Sequence, residues 1–152
     1  MGLTLHTFSD GGARGNPGPA AIGAVLCEPG GKIIAESAEC IGDMTNNKAE
    51  YCAMLKALQL AKAHKAKKLL CHGDSELIIF QLQGIYRIKD TQLKVLAEKV
   101  KSAARGFEAV NWKRVPREHP MIARADKLLN QALNRAGAQA PIKHESTQQE
   151  LF

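Results

Sequence analysis

The chain has 152 residues, 45% hydrophobic and 24% charged, with a formal net charge of +6 and a pI near 9.3. That length suits one compact domain with a real core and excludes two of ordinary size. No apolar run approaches the ~20 residues that cross a bilayer, and the N-terminal MGLTLHTFSDGG lacks the pattern of an export signal, so a cytoplasmic protein is expected. The basic balance points to a polyanionic partner.

Residues 3–9 alternate apolar and polar side chains and then meet the turn-rich DGGARGNPGP, which predicts a strand entering a loop. Residues 20–27 and 32–41 resume strand-like patterns around Pro29-Gly30-Gly31, giving a meander of three antiparallel strands. From Asn47 to about Lys65 the chain has no Gly or Pro, and Asn47 with Glu50 three residues on fits a capping box, so a long helix is predicted. Residues 67–72 read as a short apolar strand ended by Gly73, residues 75–82 and 91–104 as helices, 108–115 as a strand, and 122–136 as a last helix ended by Gly137. The predicted class is α/β: a mixed five-stranded sheet, three antiparallel strands and then parallel ones, with helices packed on it. The predicted domain spans residues 1–137. Residues 138–152, AQAPIKHESTQQELF, are too polar to make a core and are expected to form a flexible tail. Cysteines 27, 40, 52 and 71 make no C-x-x-C pair and sit in apolar surroundings, so buried free thiols are expected.

In this topology four acids converge: Asp10 at the end of the first strand, Glu50 in the first turn of the long helix, Asp74 just past the fourth strand and Asp126 in the last helix. Phosphodiester hydrolysis needs an activated water on one side of phosphorus and a stabilised leaving oxygen on the other, which two Mg²⁺ ions about 3.5–4 Å apart supply. Mg²⁺ takes hard oxygen ligands, so gathered carboxylates are the pattern that this chemistry requires. Taken singly, Asp10 also fits a turn, Glu50 a capping box, Asp74 a helix N-cap and Asp126 a solvated helix face.

The flanking sequences decide between these readings. SDGGARGNPGPAAIGAVL, TNNKAEY, GDSELII and RADKLLNQAL, in that order, resemble the four motifs of the type 1 ribonuclease H family, and the resemblance covers residues 3–136. It implies a ribonuclease H-like fold and an endonuclease that hydrolyses the RNA strand of RNA/DNA hybrids, leaving 5′-phosphate and 3′-hydroxyl ends. Asp10, Glu50, Asp74 and Asp126 would be the catalytic acids and metal ligands, for two Mg²⁺ ions or Mn²⁺. Gly11, Gly12 and Asn16 would lie against the hybrid's minor groove, and Thr45, Asn46 and Asn47 would contact the hybrid and a DNA phosphate at a helix N-terminus.

Residues 83–100 carry no block of aromatic and basic residues like the protruding handle of some members; Arg87, Lys89 and Lys94 are scattered. Ile122 stands where the family commonly has an asparagine, and the spacing of His119 to Asp126 does not match the family's mobile histidine. Lys62, Lys65, Lys67 and Lys68 read as a solvated helix end, whereas Lys113, Arg114 and Arg117 lie closer to the acids.

Two other functions compete. A DNA exonuclease usually carries Asp-x-Glu on its first strand, where this chain has Asp10-Gly11-Gly12. A hybrid-binding module without catalysis would have no use for clustered carboxylates that repel one another without metal. A monomer is expected. A further partner is suggested by Gln148, Leu151 and Phe152, whose spacing resembles the pentapeptide by which bacterial replication enzymes hold the DNA sliding clamp.

Overall fold

A computed structural model describes residues 4–137. The tail, with Gln148, Leu151 and Phe152, lies outside the described residues. The elements in chain order are β1 (Thr4–Ala13), β2 (Gly18–Cys27), β3 (Ile33–Met44), α1 (Asn46–Ala63), β4 (Lys68–Gly73), α2 (Glu76–Leu82), α3 (Thr91–Ala104), β5 (Ala109–Arg114) and α4 (Pro120–Arg135). They build one five-stranded sheet in the order β3-β2-β1-β4-β5. β1 pairs antiparallel with β2, and β2 with β3, while β4 lies parallel to both β1 and β5. The mixed sheet is as the sequence implied. No helix among the described residues is long and apolar enough to cross a membrane.

The two faces of the sheet are covered differently. On one, α1, α2 and α3 close the larger core, with Leu5, Leu26, Tyr51, Met54, Leu58, Leu69 and Val100 at its centre. Inside it the Tyr51 hydroxyl is paired with Oε1 of Gln81 at 2.5 Å, which satisfies two polar groups that burial would otherwise penalise. On the other face α4 is the one helix among the described residues, and it packs through Ile122, Ala125, Leu129 and Leu133 against Phe8, Val25 and Ala21. Alternation along β1 sends Leu5, Ser9 and Gly11 toward α1, and Phe8 and Asp10 toward α4.

Several boundaries differ from the sequence reading. β1 does not stop at residue 9; the ladder with β2 continues through Asp10↔Gly23 to Ala13↔Ala20, so Asp10, Gly11 and Gly12 are strand residues. Glycines carry no alternation signal, and here backbone pairing rather than side-chain pattern decides. The N-cap of α1 is Thr45, whose hydroxyl accepts from the Lys48 N–H at 3.3 Å, so the predicted Asn47–Glu50 capping box does not form. Asp74 is not the cap of α2 either; Ser75 is. All four cysteines are free, but only Cys27 and Cys71 are buried; Cys40 is exposed on edge strand β3 and Cys52 is half-buried.

No extra helix stands between α2 and α3. Residues 83–90 form a short connection with Ile85, Tyr86, Arg87 and Lys89 exposed, in keeping with the missing handle.

Candidate active site

The acids meet at one end of the sheet because two helices are allowed to come unusually close to it. A Cβ built on Gly11 would lie 2.2 Å from the Ala49 carbonyl oxygen of α1, and one on Gly23 would lie 2.0 Å from the Ala125 carbonyl oxygen of α4. Neither position tolerates a side chain, and each glycine abuts the residue just before an acid, Glu50 or Asp126. Gly23 also pairs across the ladder with Asp10 itself. Sequence reasoning missed Gly23, because a glycine inside a strand shows its purpose only when the packing partner is known.

Glu50 reaches from α1 to β1 and accepts the Gly11 N–H through Oε1 at 2.9 Å. Ligand oxygens of Asp10, Glu50 and Asp74 all lie within 4.8 Å of one another. Asp126 stands near enough for its charge to act on the Asp10 carboxyl. Among the described residues no N–H or hydroxyl donates to either oxygen of Asp10, although the residue is fully buried. Burial first, and then the charges of Glu50, Asp74 and Asp126, push its carboxyl well above the ordinary carboxylate range. A buried carboxylate that no protein donor satisfies, facing three more acids, is a donor set suited to hard divalent cations. The residues present therefore fit the metal that the family resemblance implies.

The expected substrate contacts divide into support and surface. Asn46 is buried; its Oδ1 accepts from the Ala13 N–H, and its own N–H donates to Oδ1 of Asn16, both at 2.9 Å. It ties β1, the β1–β2 turn and the start of α1 together. Thr45 caps the helix, and Asn47 is buried with no hydrogen-bond partner for its Oδ1 among the described residues. Gly12 sits in the ladder opposite Ala21, one residue from the helix-contacting Gly11.

His119, whose spacing to Asp126 departs from the family's mobile histidine, lies at the start of α4. It caps α4, with Nδ1 accepting the Met121 N–H at 3.1 Å, and its ring stacks on Phe8 at 4.8 Å between centroids. Ile122, where an asparagine was noted as common, is fully buried in the core under α4. Of the basic groups, Lys68 opens β4 and Lys62 closes α1, at the end of the sheet away from Asp74. Arg114 and Arg117 border Asp74 directly: the Arg114 Nε–H donates to its carbonyl at 3.4 Å, and Nε of Arg117 lies 3.8 Å from its Oδ2. On the α4 side, Arg14 donates to Oδ1 of Asn130 at 3.2 Å, and Asn130 donates to the Asp126 carbonyl at 2.9 Å.

A family model described as Reverse transcriptase-like matches residues 8–132. Over 135 residues the chain is 39% identical to a ribonuclease HI of Halobacterium salinarum, covering 89% of this chain and 67% of that protein. The chain belongs to the ribonuclease HI family. The solved RNase H1 of that archaeon superimposes with a TM-score of 0.83 over 87% of this chain and 98% of the other. LC11-RNase H1, solved in complex with an RNA/DNA hybrid, superimposes with a TM-score of 0.82 at 37% identity, over 87% and 98% of the two chains. A bifunctional protein of Mycobacterium tuberculosis is 36% identical over 87% of this chain, which spans only 36% of that longer protein. The ribonuclease HI fold thus comes both alone and as part of larger chains.

Proposed function

We propose that this ribonuclease HI family member hydrolyses the RNA strand of RNA/DNA hybrids as an endonuclease, using two Mg²⁺ ions held by Asp10, Glu50, Asp74 and Asp126. The observation that carries the reading is the buried Asp10 carboxylate, which has no hydrogen-bond donor among the described residues and lies within 4.8 Å of Glu50 and Asp74 carboxylate oxygens. The hybrid as substrate is supported by the complex of LC11-RNase H1. Divalent cations held at such a site supply an activated water and neutralise the charge that develops on the leaving oxygen. Cleavage on that path leaves a 5′-phosphate and a 3′-hydroxyl.

The chain's own residues set geometry. Glu50, anchored on the Gly11 N–H, has one oxygen committed to the strand and keeps its carboxylate over Asp10. Gly11 and Gly12, buried on β1, set that strand against α1, and with Asn16 on the β1–β2 turn they would form the side that meets a minor groove whose 2′-hydroxyls distinguish RNA from DNA. Asn47, at the N-terminus of α1, offers an amide to a DNA-strand phosphate that Thr45 and Asn46 position.

The test is cleavage of end-labelled RNA/DNA, RNA/RNA and DNA/DNA duplexes with Mg²⁺, alongside Asp10→Asn. Cleavage of the hybrid's RNA strand is expected, and the variant should lose about a thousandfold in rate, since several kcal/mol of charge stabilisation goes with the acid. Its affinity for the hybrid should persist. Hybrid binding by the wild type with no cleavage would instead indicate a binding module, and near-normal turnover by Asp10→Asn would remove the acids from the chemistry.

A further inference from the structure

The turn between β5 and α4 aims an arginine at the acid cluster from a fixed base. On one side Val115 is buried, and its N–H donates to the Gly73 carbonyl at 2.9 Å. On the other, His119 donates its N–H to the Pro116 carbonyl at 3.0 Å, caps α4 and stacks on Phe8. Arg117 lies between these anchors. Its Nε stands 3.8 Å from Oδ2 of Asp74, within ion-pair range but too long for a hydrogen bond. The pair is unequal: the arginine side chain is 52% exposed and the aspartate only 9%. The cation therefore sits on the solvent side of a sheltered carboxylate that belongs to the acid triad.

We propose that Arg117 is the resident counter-ion of the acid cluster in the metal-free protein, and that divalent cations compete with it for Asp74. The inference rests on reading the acids as a metal centre. Four clustered carboxylates repel one another, and a guanidinium beside one of them relieves part of that repulsion. A doubly charged cation entering the same cluster meets that guanidinium a few ångströms away and is repelled by it. Arg117 thus stabilises the empty site and raises the metal concentration needed to fill it. Because its side chain is half in water, it can swing outward when the cation arrives. It then presents a free fork of donors where a polyanion must approach, and guanidinium groups suit phosphate better than any other side chain.

The experiment uses the full chain with Arg117→Gln, Arg117→Lys, and Lys113→Gln as a control that removes one charge from the neighbouring strand. Melting temperature is read in chelator at low salt and then against Mg²⁺ concentration, and hybrid cleavage is read as kcat and KM separately. Arg117→Gln should melt lower than wild type without metal. It should also reach half-saturation at about threefold lower Mg²⁺, the scale of a partly exposed ion pair. Its KM for the hybrid should rise with kcat held within about twofold, as loss of a phosphate contact requires. Arg117→Lys should recover most of both shifts, and Lys113→Gln should show neither. Equal Mg²⁺ half-saturation in Arg117→Gln and wild type would overturn the counter-ion role and leave the metal centre standing. No Mg²⁺ response in any of the proteins would overturn both.

Discussion

Helices α1 and α4 each deliver one acid to Asp10, yet they are built differently. α1 buries nine of its 18 residues, among them small ones such as Ala49, Ala53, Ala57 and Ala61, and packs against the sheet on one side and α3 on the other. α4 buries five of 16, at 122, 125, 129, 132 and 133, and among the described residues packs mainly on β1, β2 and β3. A helix clasped from two sides cannot shift without opening a core, whereas a helix with a free outer face can. Glu50 is therefore held by packing as well as by its bond to the Gly11 N–H, and Asp126 mainly by how closely α4 seats on Gly23.

The largest test of that contrast is to place a methyl under each helix. Gly11→Ala drives a Cβ into the Ala49 carbonyl with α1 unable to retreat, so a loss of at least about 3 kcal/mol in urea unfolding is expected. Gly23→Ala meets a similar clash with the Ala125 carbonyl, but α4 can lift, so a loss nearer about 1–2 kcal/mol is expected. Hybrid cleavage by Gly23→Ala should nevertheless fall about a hundredfold, because displacement of a catalytic group by an ångström costs that much. Equal stability losses in the two variants would break the comparison.

A second test concerns what lies between the helices. The raised Asp10 carboxyl, caused first by burial and then by Glu50, Asp74 and Asp126, holds its proton in the folded state at pH values where the unfolded chain has released it. Its contribution to stability is complete at acid pH and is lost as pH rises through the folded-state value. Metal-free Asp10→Asn should therefore be more stable than wild type at neutral pH, with the gap closing as the solution is acidified. His72 works the other way. Burial lowers its imidazole to about 4, so proton uptake on unfolding makes stability rise with pH between about 4 and the ordinary 6.5. Comparing wild type with each variant, rather than reading one melting curve, separates the two. A pH-independent gap for Asp10→Asn would mean that the carboxyl titrates normally.

The smallest effect is expected at the outer edge of α4, where Arg124 pairs with Glu36 of β3 through two contacts on the exposed side. Arg124→Gln should leave hybrid cleavage within about twofold of wild type, since exposed ion pairs hold little. A larger loss would show that the seat of α4 depends on this tether as well as on Gly23.

Much of the site was legible in the chain because its chemistry is written in residue types. Asp10, Glu50, Asp74 and Asp126 stood out through their flanking motifs, and the last helix was read over residues 122–136, against Pro120–Arg135 in the structure. The cap of α1 was misassigned because Thr45, Asn46 and Asn47 are all cap-forming residues, and only their contacts show that Thr45 takes the role while Asn46 bridges to Ala13 and Asn16.

By itself, then, the sequence determined the order of the elements and the mixed sheet and singled out the candidate acids, because periodicity, turn residues and local motifs are properties of neighbours along the chain. Tertiary structure alone decided how near those acids come to one another. It showed that Gly11 and Gly23 are the seats of two helices, that His119 is a cap stacked on Phe8, and that Arg117 stands against Asp74. Each of these is a contact between residues far apart in the chain, and nothing local encodes the distance at which two packed elements come to rest.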